Sequence, residues 1–136
     1  MDPTGPRPNW QPIEALPLIA QMITDGVENA SEHLATIQED RPGSLDDATV
    51  SRIERVFGEE AAFVEIYEEQ LSRWQREPLT AAQAAKVTEL VAQVARLRSL
   101  TASILGRATE LKAQTIESIL KLDDAALGMA VLLRKL

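Results

Sequence analysis

The chain has 136 residues, 26% of them charged and 45% hydrophobic, with only five aromatic side chains, no cysteine and the single histidine His33. That is material for one hydrophobic core, and it excludes disulfides, thiolate metal sites and cysteine nucleophiles, while one imidazole is too little for a histidine-rich zinc site. Fourteen Lys and Arg against 21 Asp and Glu give a net charge of −7, which disfavours nonspecific attraction to nucleic acid or to an anionic membrane.

Pro3, Pro6 and Pro8, followed by Pro12, remove the backbone donors that a regular element needs, so residues 1–11 read as an extended proline-rich arm. The arm carries no apolar core segment of the kind a signal peptide requires. The longest uncharged apolar run, Ala125 to Leu133, is nine residues, whereas a spanning helix needs about 20. The expected setting is therefore the cytoplasm, with no membrane partner.

From Pro12 onward Ile13, Leu16, Ala20, Ile23, Val27, Ala30, Leu34 and Ile37 recur at alternating spacings of three and four. This is the rhythm of a helix laid along an apolar seam, predicted over 12–40 and ended by Pro42-Gly43. Pro17 falls in its first turns, where it can delay the start. Ser44 with Asp47 predicts the cap of a second helix over 45–76, whose seam runs Val50, Ile53, Phe57, Glu60, Val64, Tyr67, Leu71 and Trp74. Pro78 closes it. Thr80 with Gln83 forms a capping box for a third helix over 81–122, whose seam begins Val87, Leu90, Val94, Leu97, Thr101, Ile104, Ala108 and Leu111 and crosses Gly106 without slipping. Asp123-Asp124 predicts a break and a short fourth helix over 124–135.

The expected fold is all-α, with residues 12–136 forming a single domain. It is an elongated antiparallel three-helix bundle of coiled-coil character, with a long third helix and a short C-terminal fourth helix. Pairing residues at equal distance from each turn puts Trp10 level with Trp74, and Glu60 level with Arg96 and Arg98. A seam carboxylate needs a cation, so a buried Glu60–Arg98 ion pair is expected.

Several constellations bear on function. Glu59, Glu65, Glu68 and Glu69 crowd one stretch of the second helix, and two carboxylates on one face can approach a divalent cation. The stretch resembles one half of the paired-glutamate site of all-α nucleotide pyrophosphatases, which implies a metal-dependent hydrolase as an alternative reading. No second Glu pair stands on the long helix to complete it. Thr101, with Thr115, Ser118 and Ala108, makes the third seam small and weakly polar, suited to close helix packing or to a groove for a partner helix. The helix order, and the stretch Ala95-Arg96-Leu97-Arg98-Ser99-Leu100-Thr101, are loosely similar to flagellar export chaperones of the helical-hairpin kind. That resemblance implies a chaperone binding the amphipathic helix of a client.

The leading expectation is noncatalytic, with no cofactor, no metal and no nucleic-acid partner. The second helix begins level with about residue 112 by equal-distance pairing, so the chain beyond it overhangs. Ile116, Ile119, Leu120, Leu127, Met129, Val131, Leu132, Leu133 and Leu136 crowd that overhang, too much apolar surface to leave in water. It is the expected interface of a homodimer through residues 113–136, or of a partner helix.

Overall fold

The computed structural model describes residues 9–39 and 46–134, with side chains described as far as Gln114. It is all-helical, and three helices pack against one another: α1 (Leu16–Glu39), α2 (Asp47–Gln75) and α3 (Ala81–Arg134). The predicted residues before Asn9 and the connection over 40–45, including Pro42 and Ser44, lie outside the described residues.

The chain enters α1 through a single 3-10 turn, Ile13–Ala15. Pro17 explains the turn. In an α-helix the carbonyl of Ile13 would take the N–H of residue 17, which proline lacks. The N–H of Leu16 takes that carbonyl instead, closing the tighter ring. Asp46 caps α2, its carboxylate accepting the Thr49 N–H at 2.7 Å, so the cap is two residues beyond the expected Ser44, while Asp47 stands in the first turn as expected. The Thr49 side chain, and after it the Thr49 N–H, hold the Asp46 carboxyl below the usual carboxylate range. The Thr80–Gln83 box forms as predicted: the Thr80 N–H donates to Gln83 Oε1 at 3.0 Å, and the Gln83 N–H donates to Thr80 Oγ1 at 3.1 Å.

α3 is one helix of 54 residues. It passes Gly106 unbroken, as the seam requires. It also passes Asp123-Asp124, where a break and a separate fourth helix were expected. Two aspartates cost a helix interior only about half a kcal/mol each, and the flanking Leu, Lys and Ala residues are strong helix formers that outweigh them.

The seams bury as their spacing predicts. Ile23, Ala30, Leu71, Trp74, Leu90, Leu97, Ile104 and Ala108 are each at most 1% exposed. Leu16, Ala20 and Ile23 of α1 share one cluster with Phe57, Val64, Tyr67 and Trp74 of α2 and Val87 to Ile104 of α3. A smaller cluster of Ile37, Val50, Ala108 and Leu111 continues it toward the other end.

Contacts give each helix its sense. Going back along α2 from Glu68 to Glu54 carries the ion-pair partner forward along α3 from Arg98 to Lys112. Going forward along α1 from Thr24 to Ile37 carries the partner forward along α3 from Gln93 to Arg107. These α2–α3 contacts fall about two and a half turns further along α3 than equal-distance pairing puts them. The connection is the reason. Residues 76–80 are not helical, and an extended residue advances about 3.3 Å where a helical one advances about 1.5 Å. The chain therefore overshoots the end of α2 before α3 turns back, and Gln75, the last residue of α2, lines the same groove as Val91.

Candidate interaction surfaces

The structure corrects the expected Glu60–Arg98 pair. The Arg98 Nε donates to Glu68 Oε1 at 2.7 Å, and both side chains are about half exposed. The shifted register puts Glu68, not Glu60, beside that guanidinium. Glu60 instead turns toward α1, where its Oε1 lies 3.0 Å from the position a Cβ on Gly26 would take. Leu97 Cδ2 lies 3.3 Å from the same position. At Gly26, α1 thus lies close against side chains of both neighbours, and any larger residue would meet the two that fill that space.

Partial burial pushes the Glu60 carboxyl above its ordinary value, with no cation to oppose the effect. Its negative charge, after burial, helps push the Tyr67 hydroxyl up as well. A carboxyl whose folded pKa is raised binds more protons in the folded state, so stability falls as pH rises from the ordinary glutamate value through the raised one. Glu60→Gln is expected to remove that fall. Urea midpoints for wild type and variant, followed from mildly acidic to neutral pH, should converge at the acidic end and separate toward neutrality with the variant more stable. Parallel curves would show that Glu60 is solvated in the native state.

The acidic stretch is already served by cations. Glu68 holds Arg98, and Glu69 Oε1 holds Arg73 Nε at 3.2 Å and Arg76 Nη2 at 3.8 Å. Among the described residues no three Asp, Glu or His side chains gather where they would hold a metal ion. His33 Nδ1 lies 2.9 Å from the Asn29 carbonyl, and its ring meets the edge of Phe57 at 5.3 Å between centroids. The imidazole is exposed and rests against Phe57 of α2.

The end of the proline-rich arm makes the most specific polar contact among the described residues. The Gln11 N–H donates to Gln70 Oε1 at 2.7 Å, and the Gln11 carbonyl accepts from Gln70 Nε2 at 3.3 Å and from Trp74 Nε1 at 3.0 Å. Beside it the Arg73 guanidinium stands 4.3 Å from the centre of the Trp10 ring. Trp10 and Trp74 therefore meet the same turn of α2, as the sequence registration placed them. The buried Gln70, 4% exposed, carries no sequence signal of its role, because its partner is backbone and not a side chain.

Among the grooves that flank the helices are these two. One, about 290 Å³, lies between the start of α1 and α2 beside Trp10, with Leu18 63% and Phe63 47% exposed along it. The other runs between α2 and α3 as two hollows of about 500 and 130 Å³ that share Arg98. The smaller hollow is bordered by Thr101, whose hydroxyl is buried without a hydrogen-bond partner among the described residues.

The C-terminal residues Ile116, Ile119, Leu120, Leu127, Met129, Val131, Leu132, Leu133 and Leu136 lie outside the residues whose side chains are described. The structure shows the α3 backbone carrying all of them but Leu136 on one continuous helix. Among the described residues no helix is long and apolar enough to cross a membrane. Comparison with family models, with curated proteins and with solved structures finds nothing that matches this chain.

Proposed function

We propose that this chain is a noncatalytic protein–protein interaction or assembly module, an elongated antiparallel three-helix bundle of coiled-coil character that self-associates through residues 113–136. The observation that carries the reading is a difference in length. α3 has 54 residues where α1 has 24 and α2 has 29, so α3 is about 81 Å long against about 36 and 44 Å for its neighbours. Neither neighbour can flank all of it, and in the register of the Glu68–Arg98 and Glu54–Lys112 pairs the start of α2 lies level with about residue 119, so α3 runs past α2 from about residue 120. The excess falls on the stretch whose sequence is richest in large apolar residues, and burying six such side chains at about 1.5–3 kcal/mol each outweighs the cost of association. The reading places the module in the cytoplasm and assigns it no nucleic-acid partner, in keeping with its net charge of −7.

Light scattering on the full chain at micromolar concentration is expected to give a dimer. Leu120→Asp combined with Leu127→Asp is expected to give a monomer that keeps its helical circular dichroism. A wild-type monomer would overturn self-association and leave this surface to a different protein, the outcome expected of a chaperone for an amphipathic helix.

A further inference from the structure

We propose that the groove between α2 and α3 receives the C-terminal stretch of α3 from a second copy of this chain, with the two α3 helices antiparallel. The proposal rests on the self-association argued above and adds where the tail goes. All residues lining the two hollows come from α2 and α3, and none comes from α1. The positions of α2 and α3 that meet α1 and the arm are different ones: Glu60 and Leu97 at Gly26, Gln93 at Thr24, Gln70 and Trp74 at Gln11. The groove is therefore the side of the α2–α3 pair that α1 leaves open, the place of a fourth helix in a four-helix arrangement. Ala61, Ser72, Ala95, Ser99 and Ala102 line it, and such short side chains let another helix axis approach closely.

Thr101 indicates that something polar belongs there. Its side chain is 1% exposed and its hydroxyl has no partner among the described residues, yet it borders the smaller hollow. A buried hydroxyl without a partner is costly, and a group delivered through the groove would relieve that cost.

The length of α3 lets a second copy be the occupant, because its last 15 described residues match the 15 residues of groove wall from Val91 to Leu105. Along α3 the groove extends from Val91 to Leu105, about 21 Å. An antiparallel twofold pairing that sets Arg134 of one copy level with Val91 of the other has its axis between Lys112 and Ala113. That axis divides the helix from Val91 to its end at Arg134 into two equal halves, one containing the groove wall and the other the tail. The contact is isologous, so each tail fills the other copy's groove and the assembly closes at two chains. In the same register Asp124 of the second copy is level with Thr101, and Asp123 with Ala102, one turn from Arg98. The register thus sets two acids of the sequence level with the unsatisfied Thr101 hydroxyl and within a turn of Arg98. Leu120 falls level with Leu105, and Ala130 with Ala95.

Because the chain has no cysteine, introduced thiols report their own neighbours alone. Full-length Ala95→Cys and Ala130→Cys variants, prepared separately, mixed and oxidised, are expected to give a disulfide-linked dimer in the mixture and none in either variant alone. Ala125→Cys tests the rival arrangement, in which two tails pair about their own midpoint; it would then cross-link to itself. A dimer by light scattering in which Ala125→Cys self-links and the mixture does not would overturn the groove proposal and leave self-association standing. A dimer showing neither link would overturn it equally, and a monomer would remove both. Circular dichroism of each variant confirms that the helices persist.

Discussion

Trp74→Ala is expected to lower the unfolding free energy by about 3–5 kcal/mol, the range for removing a large aromatic side chain from a packed interior. Trp74 is fully buried in the main core cluster, and its indole N–H also donates to the Gln11 carbonyl at 3.0 Å. The substitution therefore removes core packing and one anchor of the arm together. Trp74→Phe separates the two effects. It keeps most of the ring in place, and the Gln11 carbonyl retains its bond from Gln70, so the loss of the hydrogen bond should cost about 1 kcal/mol. Urea unfolding measures both. Trp10, stacked on Arg73, becomes the sole tryptophan in either variant, and a red shift of its emission reports release of the arm. A Trp74→Ala variant as stable as wild type would mean that this end of the core is not packed as described.

The second large effect is expected at Leu97, where Leu97→Ala should cost about 2–5 kcal/mol. Leu97 is fully buried, and it and Glu60 occupy the space that a side chain on Gly26 would need. This sets up a coupling. In the wild type, Gly26→Ala gains about 1 kcal/mol of helix propensity but must push Leu97 and Glu60 aside. In the Leu97→Ala background one obstacle is gone, so Gly26→Ala should recover part of the lost stability. Additivity of the two substitutions to within about 0.5 kcal/mol would show that they do not share this space.

How much of this was legible in the sequence differs by level. The apolar seams were readable residue by residue, because a helix in contact with neighbours on one side must repeat its apolar positions at three and four, and α3 does so at all eight positions from Val87 to Leu111. Helix continuity at Gly106 followed from the same rule. At Asp123-Asp124 local cap preference points to a break, but the helix propensity of the residues on both sides prevails. Register was the weakest point. Equal-distance pairing assumes a symmetric turn, and nothing in Arg76-Glu77-Pro78-Leu79-Thr80 announces how far the chain advances before it returns. That advance is what sets Arg98 beside the exposed Glu68 and not beside Glu60. The clasp of Gln70 on Gln11 was unreadable for another reason: a glutamine that pairs with backbone leaves no pattern in side-chain types.

The order in which the chain visits its neighbours has a consequence for how it closes on itself. Contacts between α2 and α3, such as Glu68 with Arg98, join residues 30 apart, while Thr24 of α1 meets Gln93 of α3 across 69. In polymer terms, lengthening a closed loop by that ratio adds only about 0.7 kcal/mol of entropy cost. The detour through α2 is thus thermodynamically minor. What holds α1 in place is the set of side chains it delivers, above all Ile23 and the bare backbone of Gly26, far more than any advantage of nearness along the chain.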